Sequence, residues 1–482
     1  MNPQIRRLMT AIAIMMLSLF LAATYVQFVK GPALRADPRN ARTIYESWGR
    51  DRGPIIVDGT EIALSKKVDN VYGFQREYPG GEMYAPITGY SAVRLGQTTG
   101  LEAAATKDLD GTSLSLLSQR IQDLLTGKQP RGGAIDLTID ADLQSIAFES
   151  LKGRTGAIVA LDPRDGKIRA LMSTPTFDPN LLTVPDKKAA QDELEKLQDN
   201  KLRPLINRAI AGDRYPPGSV FKIITAAAAL NSGKLAPDSE VDAPRELAMP
   251  GTTKTLKNYG GEACGSGKVS FAEAFARSCN TPFGALGMEL GQEQLADMAK
   301  QFGFGADLSI PMPVTPSVFP NTDAKAQLAQ SAIGQYEVQV TPMEVAMMGA
   351  AVANEGIIMT PYLIDKTMDR DLVTQTTTEP KKWRRALSPQ VAQSLKEMMT
   401  GVVEKDYGTG TNAQIKGMQV AGKTGTAETG RGGSHAWFVG FAPADKPQLV
   451  VVAFLEAQPG EFLTGGVDAA PIARKLLKAG VK

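Results

Sequence analysis

The sequence predicts an α+β fold in which helices pack an antiparallel sheet, preceded by a β-rich module and one transmembrane helix. Three patterns support this class: short apolar strands separated by turn residues, an Ala-rich apolar helix with clear ends, and an uncharged N-terminal run. The chain has 482 residues, 43% hydrophobic and 22% charged, as in folded globular proteins. We expect three regions, at residues 1–30, 31–134 and 135–482.

The uncharged run at residues 8–29 predicts a membrane anchor. A helix of this length rises about 33 Å, enough to cross the hydrocarbon core of a bilayer. Arg6 and Arg7 precede it, so the positive-inside rule places the N-terminus in the cytoplasm and the rest outside. A cleaved signal peptide is the alternative, but its apolar core would be shorter. We therefore expect a single-pass protein of the cell membrane whose residues beyond the anchor lie outside the cytoplasm.

Residues 31–134 are punctuated by Gly, Tyr and Pro, for example at 52–59 and 76–81. This punctuation predicts short alternating strands with turns rather than helices. The segment 127–133 predicts a loop before a strand at 134–139, and we place the domain boundary there.

Beyond this boundary, strands and helices are both expected. Pro-Arg-Asp-Gly at 163–166 is a hairpin signal between two apolar strands. The charged segment 186–200 predicts a solvated helix, and 219–230 predicts a buried one that is opened by Pro-Pro-Gly and closed by Asn-Ser-Gly. The expected strands are 156–162, 167–172, 422–426, 436–442 and 448–455, and a last helix is expected at 469–477.

Composition excludes several classes of function. The net charge of +2 gives no support for nucleic-acid binding. The single histidine, His435, rules out a two-histidine zinc site and leaves a Ser-His-Asp triad only if it is the base. Cys264, Cys279 and His435 lack the spacing of a zinc site, so we expect no metal and no cofactor. Outside the membrane, a Cys264–Cys279 disulfide is the better hypothesis.

Ser219 and Lys222 form the first motif that carries chemistry. Residues three apart share one face of a helix, so Lys222 can reach the hydroxyl of Ser219. A lysine on an apolar helix is desolvated, and desolvation lowers its pKa toward the value that a general base needs near neutral pH. The alternative is that Ser219 caps the helix and Lys222 points to solvent.

The segment around Lys423 matches two different motifs. Residues 417–424 fit the G-x-x-x-x-G-K-[ST] pattern of nucleotide hydrolases, in which a helix must follow and hold phosphate at its N-terminus. Here a Gly- and Thr-rich stretch follows Thr424 and predicts no helix. The nucleotide interpretation therefore lacks its structural context.

Three motifs follow one another along the chain: Ser219-x-x-Lys222, Ser278-x-Asn280 and Lys423-Thr424-Gly425-Thr426. Their order resembles the S-x-x-K, S-x-N and K-T-G triplet of penicillin-binding proteins and serine β-lactamases. Flanking segments at 334–335, 341–342 and 436–443 resemble a penicillin-binding transpeptidase domain over about 135–482. Upstream, 52–55, 76–79 and 100–102 resemble the N-terminal module of class B penicillin-binding proteins.

The resemblance implies a penicillin-binding/serine β-lactamase-like fold, in which a helical subdomain lies beside the antiparallel sheet. It implies a serine acyltransferase that cross-links peptidoglycan stem peptides through an acyl-enzyme, with D,D-carboxypeptidase activity as a side reaction. The implied catalytic residues are Ser219, Lys222, Ser278, Asn280 and Lys423, and the implied substrate-binding residues are Thr424, Gly425 and Thr426.

The resemblance also implies partners. β-Lactams would acylate the serine, and residues 31–134 would be a pedestal or docking module for cell-wall synthesis machinery such as glycosyltransferases and scaffold proteins. Two other functions stay open at this point. A β-lactamase would share the motifs but usually lacks the anchor and the module, and a penicillin sensor would need more than the seven residues that precede the run at 8–29.

Overall fold

The computed structural model describes residues 3–31, 34, 51–69, 73–116, 131–430 and 432–481. Its first helix is α1, Pro3–Thr24, and a π-helical turn at Tyr25–Lys30 follows it. Within the described residues, Pro3–Gln27 is one helix long and apolar enough to span a membrane, and none of it is buried. The uncharged run at 8–29 falls in this helical segment.

The N-terminal module contains both strands and helices. The expectation of strands is right for residues 55–77 and for a short strand pair at 91–98, and it is wrong for 81–88 and 100–109, where three short helices occur. Gly81, which we interpreted as a turn residue, is the first residue of one of these helices, and Gly100 is the first residue of another. The elements are β1 Ile55–Val57, β2 Thr60–Lys67, β3 Phe74–Glu77, α2 Gly81–Thr88, β4 Ser91–Ala92, β5 Gln97–Thr98, α3 Gly100–Ala104 and α4 Thr106–Leu109.

The next part of the chain begins with the predicted hairpin. Its two strands pair antiparallel, with Ile158 opposite Met172, and Gly166 donates a backbone hydrogen bond to Asp162 O across the turn. The charged segment is a helix capped by Asp186, and only one side of it is buried. The elements are β6 Ala134–Leu137, α5 Ala141–Leu151, β7 Gly156–Leu161, β8 Ile168–Thr174, α6 Lys187–Asp199 and α7 Lys222–Asn231.

A helical region with short two-stranded ribbons follows α7. Its longest helix is interrupted at Gly291, where φ is 77° and the backbone is not helical. The elements are β9 Glu240–Asp242, β10 Glu246–Ala248, β11 Thr255–Lys257, β12 Lys268–Ser270, α8 Phe271–Ala276, α9 Thr281–Phe302, β13 Leu308–Ser309, β14 Pro313–Val314 and α10 Lys325–Ser331.

The remaining elements complete two sheets. They are α11 Pro342–Ala353, β15 Ile357–Met359, β16 Ile364–Met368, β17 Thr374–Thr377, β18 Lys382–Arg385, α12 Pro389–Glu404, β19 Ala421–Glu428, β20 Ser434–Ala442, β21 Leu449–Leu455 and α13 Ala470–Gly480. Within residues 135–482, all five strands predicted between 156 and 455 are present, and the predicted last helix is α13.

The main sheet is antiparallel and has the strand order β19-β20-β21-β7-β8. Side chains of a strand alternate between its two faces, and here both faces are buried. Ile158 packs in one apolar cluster with α5 and α13, while its neighbour Val159 packs in another with α7, α9 and α11. The sheet is thus covered on both sides, and β19 lies at its edge.

A second sheet, ordered β17-β16-β6-β1-β2-β3, connects the module to the rest of the chain. Strand β1 pairs in parallel with β6, with Ile55 opposite Ile135, and β16 pairs with the other side of β6. This sheet therefore spans the predicted boundary at 134/135. Residues 117–130, which include most of the predicted boundary loop, lie outside the described residues, and the domain division stays a prediction.

Candidate active site

Ser219 lies in a 3₁₀ turn, Gly218–Phe221, that leads directly into α7. Gly218 has a φ of 52°, and a Cβ atom on it would lie 2.4 Å from Thr426 O. Only glycine combines this backbone conformation with so close an approach to β19. Ser219 is half-buried, and within the described part of the chain its hydroxyl makes no hydrogen bond. Its oxygen is therefore not held by a neighbouring group.

Lys222 is the first residue of α7 and is fully buried. Its Nζ donates to Ser278 O at 2.7 Å and to Asn280 Oδ1 at 2.8 Å, and it lies 3.4 Å from Ser278 Oγ. Burial, and then the like charge of Lys423, hold the pKa of Lys222 well below its usual value. The structure therefore excludes a solvent-facing Lys222.

Ser278 lies in the short link between α8 and α9 and has a φ of 58°, which is uncommon for a residue other than glycine. Its hydroxyl accepts a hydrogen bond of 2.8 Å from Lys423 Nζ. Ser278 Oγ thus lies between two amines, those of Lys222 and Lys423. Such a backbone conformation persists only where its surroundings enforce it, and these places are often functional sites.

Asn280 is held by a residue that the sequence analysis missed. Asn258 Oδ1 accepts from the N–H groups of Asn280 and Thr281 at the start of α9, at 2.8 and 3.0 Å. The Asn280 amide nitrogen donates to Lys257 O at 2.9 Å, which leaves Oδ1 directed to Lys222. The only sequence signal for Asn258 is the Tyr-Gly-Gly turn after it, which does not indicate a partner 22 residues away.

Lys423 lies in the edge strand β19, paired opposite Val439. It is fully buried, and its Nζ also donates to Thr424 O at 3.1 Å. Burial lowers the pKa of Lys423 to about 7. Because this segment is a strand rather than the start of a helix, the nucleotide-hydrolase interpretation is wrong.

Gly425 and Trp437 bring β19 against the turn that carries Ser219. A Cβ on Gly425 would lie 2.9 Å from Pro217 O, and Trp437 Nε1 donates to Pro216 O at 3.0 Å. Thr426, the next residue, is half-buried beside Gly218. The structure thus brings together all eight site residues expected from the sequence, in a cleft between β19, the Ser219 turn and the Ser278 link.

Thr424 is almost fully buried, and its Oγ1 lies 2.6 Å from the Oγ1 of Thr409. Thr409 follows α12 and was also missed by the sequence analysis. A lone threonine in a Gly-rich loop gives no signal of a contact across 15 positions.

In the part of the chain that the structure describes, His435 and the two cysteines make no hydrogen bond with the eight site residues through their side chains. His435 is the second residue of β20, and its Nδ1 accepts a hydrogen bond of 3.0 Å from the N–H of Ala457. Its ring contacts Tyr215, and burial lowers its pKa. A disulfide joins Cys264 to Cys279. Within the described residues no group of three potential ligands could hold a metal ion.

Comparison with known proteins gives the class of the chain. A model of the penicillin-binding protein transpeptidase domain matches residues 156–478, and a model described as the penicillin-binding protein A dimerisation domain matches residues 52–135. The chain therefore belongs to the penicillin-binding transpeptidase family, in its class B. The family and the fold expected from the sequence are confirmed.

Among individual relatives, the chain is 42% identical to the peptidoglycan D,D-transpeptidase PbpA of Mycolicibacterium smegmatis, over 100% of this chain and 99% of that protein. It is 39% identical to PbpA of Mycobacterium tuberculosis with the same coverage. The ceftriaxone acyl-enzyme complex of penicillin-binding protein A from M. tuberculosis superposes with a TM-score of 0.86 at 39% identity, covering 91% of this chain and 100% of that one.

Proposed function

We propose that this chain is a serine D,D-transpeptidase that cross-links peptidoglycan stem peptides, with Ser219 as its nucleophile. The observation that carries the proposal is the hydrogen-bonded series Lys222, Ser278 and Lys423 beside a serine whose hydroxyl is unbonded. Acyl transfer requires a nucleophile, a base and a route for protons, and these residues supply each of them.

Lys222 is the base in the first step. At pH 7 an ordinary lysine is neutral in only about 0.04% of molecules, so a base of this type requires a lowered pKa. A neutral amine has two hydrogens and one lone pair. Both hydrogens of the neutral Lys222 amine have carbonyl acceptors, in Ser278 O and Asn280 Oδ1, and these two bonds leave its lone pair unused. Lys222 and Ser219 make no hydrogen bond within the described residues, so the lone pair takes the Ser219 proton as the substrate is attacked.

Ser278 completes the step by proton relay. Ser219 Oγ attacks the carbonyl carbon of the penultimate D-Ala, and the bond to the terminal D-Ala breaks. The proton taken by Lys222 passes through Ser278 Oγ to the nitrogen of the departing D-Ala. The contacts of Ser278 Oγ with both amines support this path.

Strand β19 binds the end of the substrate. Lys423 supplies positive charge, and the hydroxyls of Thr424 and Thr426 donate to the terminal carboxylate. The backbone N–H groups of Ser219 and Thr426 form the oxyanion hole. The close approach of Gly218 to Thr426 supports this pairing.

The acyl-enzyme is resolved by an amine of a second stem peptide, which attacks the ester carbonyl and releases Ser219. Water in place of the amine gives the D,D-carboxypeptidase side reaction. β-Lactams acylate Ser219, and the resulting ester is hydrolysed slowly. Solved acyl-enzyme complexes of penicillin-binding protein A from M. tuberculosis with ceftriaxone, imipenem and penicillin G support this behaviour.

Labelling of the full-length protein in detergent with a fluorescent penicillin tests the assignment. Wild type and a Ser266→Ala control, which changes an exposed serine, should bind one equivalent, and Ser219→Ala should bind none. Label retained by Ser219→Ala would refute the nucleophile assignment. Rapid loss of label from wild type would instead indicate a β-lactamase.

The α1 segment is the anchor, with its N-terminus in the cytoplasm and the catalytic domain outside. Its length and its unburied apolar side chains support this placement. A cysteine added at residue 3 should resist a membrane-impermeant thiol reagent in intact cells, whereas one at exposed Thr252 should react. The reverse pattern would contradict the orientation.

The domain division at 1–30, 31–134 and 135–482 is part of the same proposal. The module at 31–134 is a pedestal that docks partners of the cell-wall synthesis machinery during cell shaping or division. The match of residues 52–135 to a dimerisation-domain model supports a second copy of the chain as one such partner. Sedimentation of the full-length protein with and without residues 52–116 tests this. The same number of chains per particle in both proteins would exclude self-association through the module.

A further inference from the structure

Thr409 lies beside the residue that we assign to the substrate carboxylate. Its Oγ1 is 2.6 Å from Thr424 Oγ1, within the range of a strong hydroxyl–hydroxyl hydrogen bond. Thr424 is 6% exposed, whereas the Thr409 side chain is exposed. Within the described residues, Thr409 is the one hydrogen-bond partner of the Thr424 hydroxyl.

The backbone fixes Thr409 in this place. Its N–H donates to Ala276 O at 3.2 Å, at the end of α8 and two residues before Ser278. On the other side, a Cβ on Gly466 would lie 2.3 Å from Thr409 O, so the segment at 464–468 packs closely against it. Asn412 holds that segment through a 2.9 Å hydrogen bond to Gly466 O. Thr409 therefore connects β19 to the link that carries Ser278.

Either hydroxyl of this pair could donate, and the two acceptors within reach of the Thr409 proton differ in distance. The alternative acceptor for the Thr409 proton is Ala276 O, at 3.4 Å, which is much longer than the 2.6 Å to Thr424 Oγ1. If Thr409 donates to Thr424, the proton of Thr424 is free for an incoming anion. A hydroxyl that accepts one hydrogen bond also becomes a stronger donor in the next.

We propose that Thr409 is a positioning residue for the terminal carboxylate of the substrate: it donates to Thr424 Oγ1 and so directs the Thr424 proton to the carboxylate. This inference rests on the proposed function. It predicts that Thr409 favours donors ending in a carboxylate over donors ending in a neutral amide, because a hydrogen bond to a charged group is the stronger one.

The test compares two thioester donors, one ending in a carboxylate and its carboxamide analogue, with thiol release by the full-length protein in detergent as the readout. Thr409→Val removes the hydroxyl and keeps the shape. It should lower kcat/KM for the carboxylate donor about tenfold, mostly through KM, and change the carboxamide value less than about twofold. Thr409→Ser should restore the preference. Thr411→Val, an equal change two residues away, should match wild type.

An equal loss with both donors would show a merely structural role and overturn the proposal, as would no loss with either. The same holds for a Thr409→Ser variant that behaves like Thr409→Val. A wild-type chain that releases thiol from neither donor and takes up no fluorescent penicillin would refute the proposed function itself. The two failures are therefore distinguishable.

Discussion

The cleft and the N-terminal module both bury charged side chains, with opposite results. In the cleft Lys222 and Lys423 are fully buried, make no ion pair within the described residues, and have lowered pKa values. In the module Glu102 is fully buried between Arg52 and Arg76. Burial alone would raise the pKa of Glu102, but the two arginines more than offset it and lower the pKa. A buried amine without an ion-pair partner thus has a lowered pKa and can act as a base. A buried carboxylate between two arginines instead stays charged.

The largest effect should come from removing the unpaired amine. Lys222→Met should lower the rate constant of acylation by up to about ten-thousand-fold, since general bases contribute up to that much. The temperature of thermal unfolding should change little. Losing the hydrogen bonds of Lys222 destabilises the fold, but removing a buried amine stabilises it. Stopped-flow acylation and calorimetry measure the two effects, and Lys234→Met, on the surface, is the control. A variant that acylates normally would contradict the role of Lys222.

In the module the same kind of change should act on stability instead. Glu102→Ala removes the carboxylate that buried Arg76 and half-buried Arg52 share and leaves Arg52 only its ion pair with Asp110, and breaking such a network costs about 3–5 kcal/mol. The remaining folded protein should acylate at the wild-type rate. Urea unfolding measures the cost, with Glu149→Ala, in an exposed pair, as the matched control. Unchanged stability with reduced acylation would reverse the comparison.

The sequence predicted the cleft better than the module because the cleft residues lie in short motifs on strongly patterned elements. Lys222 falls on an apolar helix, and Lys423 falls in a strand of a sheet with both faces buried. The residues of each motif lie close together in the sequence, and the structure places the three motifs beside one another. In the module, α2, α3 and α4 are four to eight residues long, too short for a helical period to show.

Hydrogen bonds and ion pairs between isolated residues could not be predicted from the sequence. Asn258 and Thr409 act across 22 and 15 positions through single hydrogen bonds that depend on how loops close. The Arg52–Glu102–Arg76 network is of the same kind, because its members are 24 to 50 residues apart and no local pattern marks them as partners.

The disulfide next to Ser278 should have an intermediate effect. Thiol titration of the denatured, unreduced protein should find no free cysteine, and two titratable thiols would contradict the bond. Closing a loop across 15 positions stabilises by about 3 kcal/mol, so Cys264→Ala with Cys279→Ala should cost about that much. Because Cys279 adjoins Ser278, acylation should also slow several-fold. A variant as stable as wild type would show that the bond does not constrain the chain.

The smallest effect, and the sharpest test of the comparison, concerns pH. Burial and then the charge of Lys423 lower the pKa of Lys222, so acylation should rise with pH as Lys222 loses its proton. Lys423→Met removes the like charge, which raises the pKa of Lys222 and shifts this rise to higher pH. Lost carboxylate binding changes the height of the curve but not its midpoint, so the midpoint reports the coupling between the two amines. Lys405→Met, which changes an exposed lysine directly after α12, should leave the midpoint in place. A midpoint unmoved in Lys423→Met would mean that burial alone makes Lys222 a base.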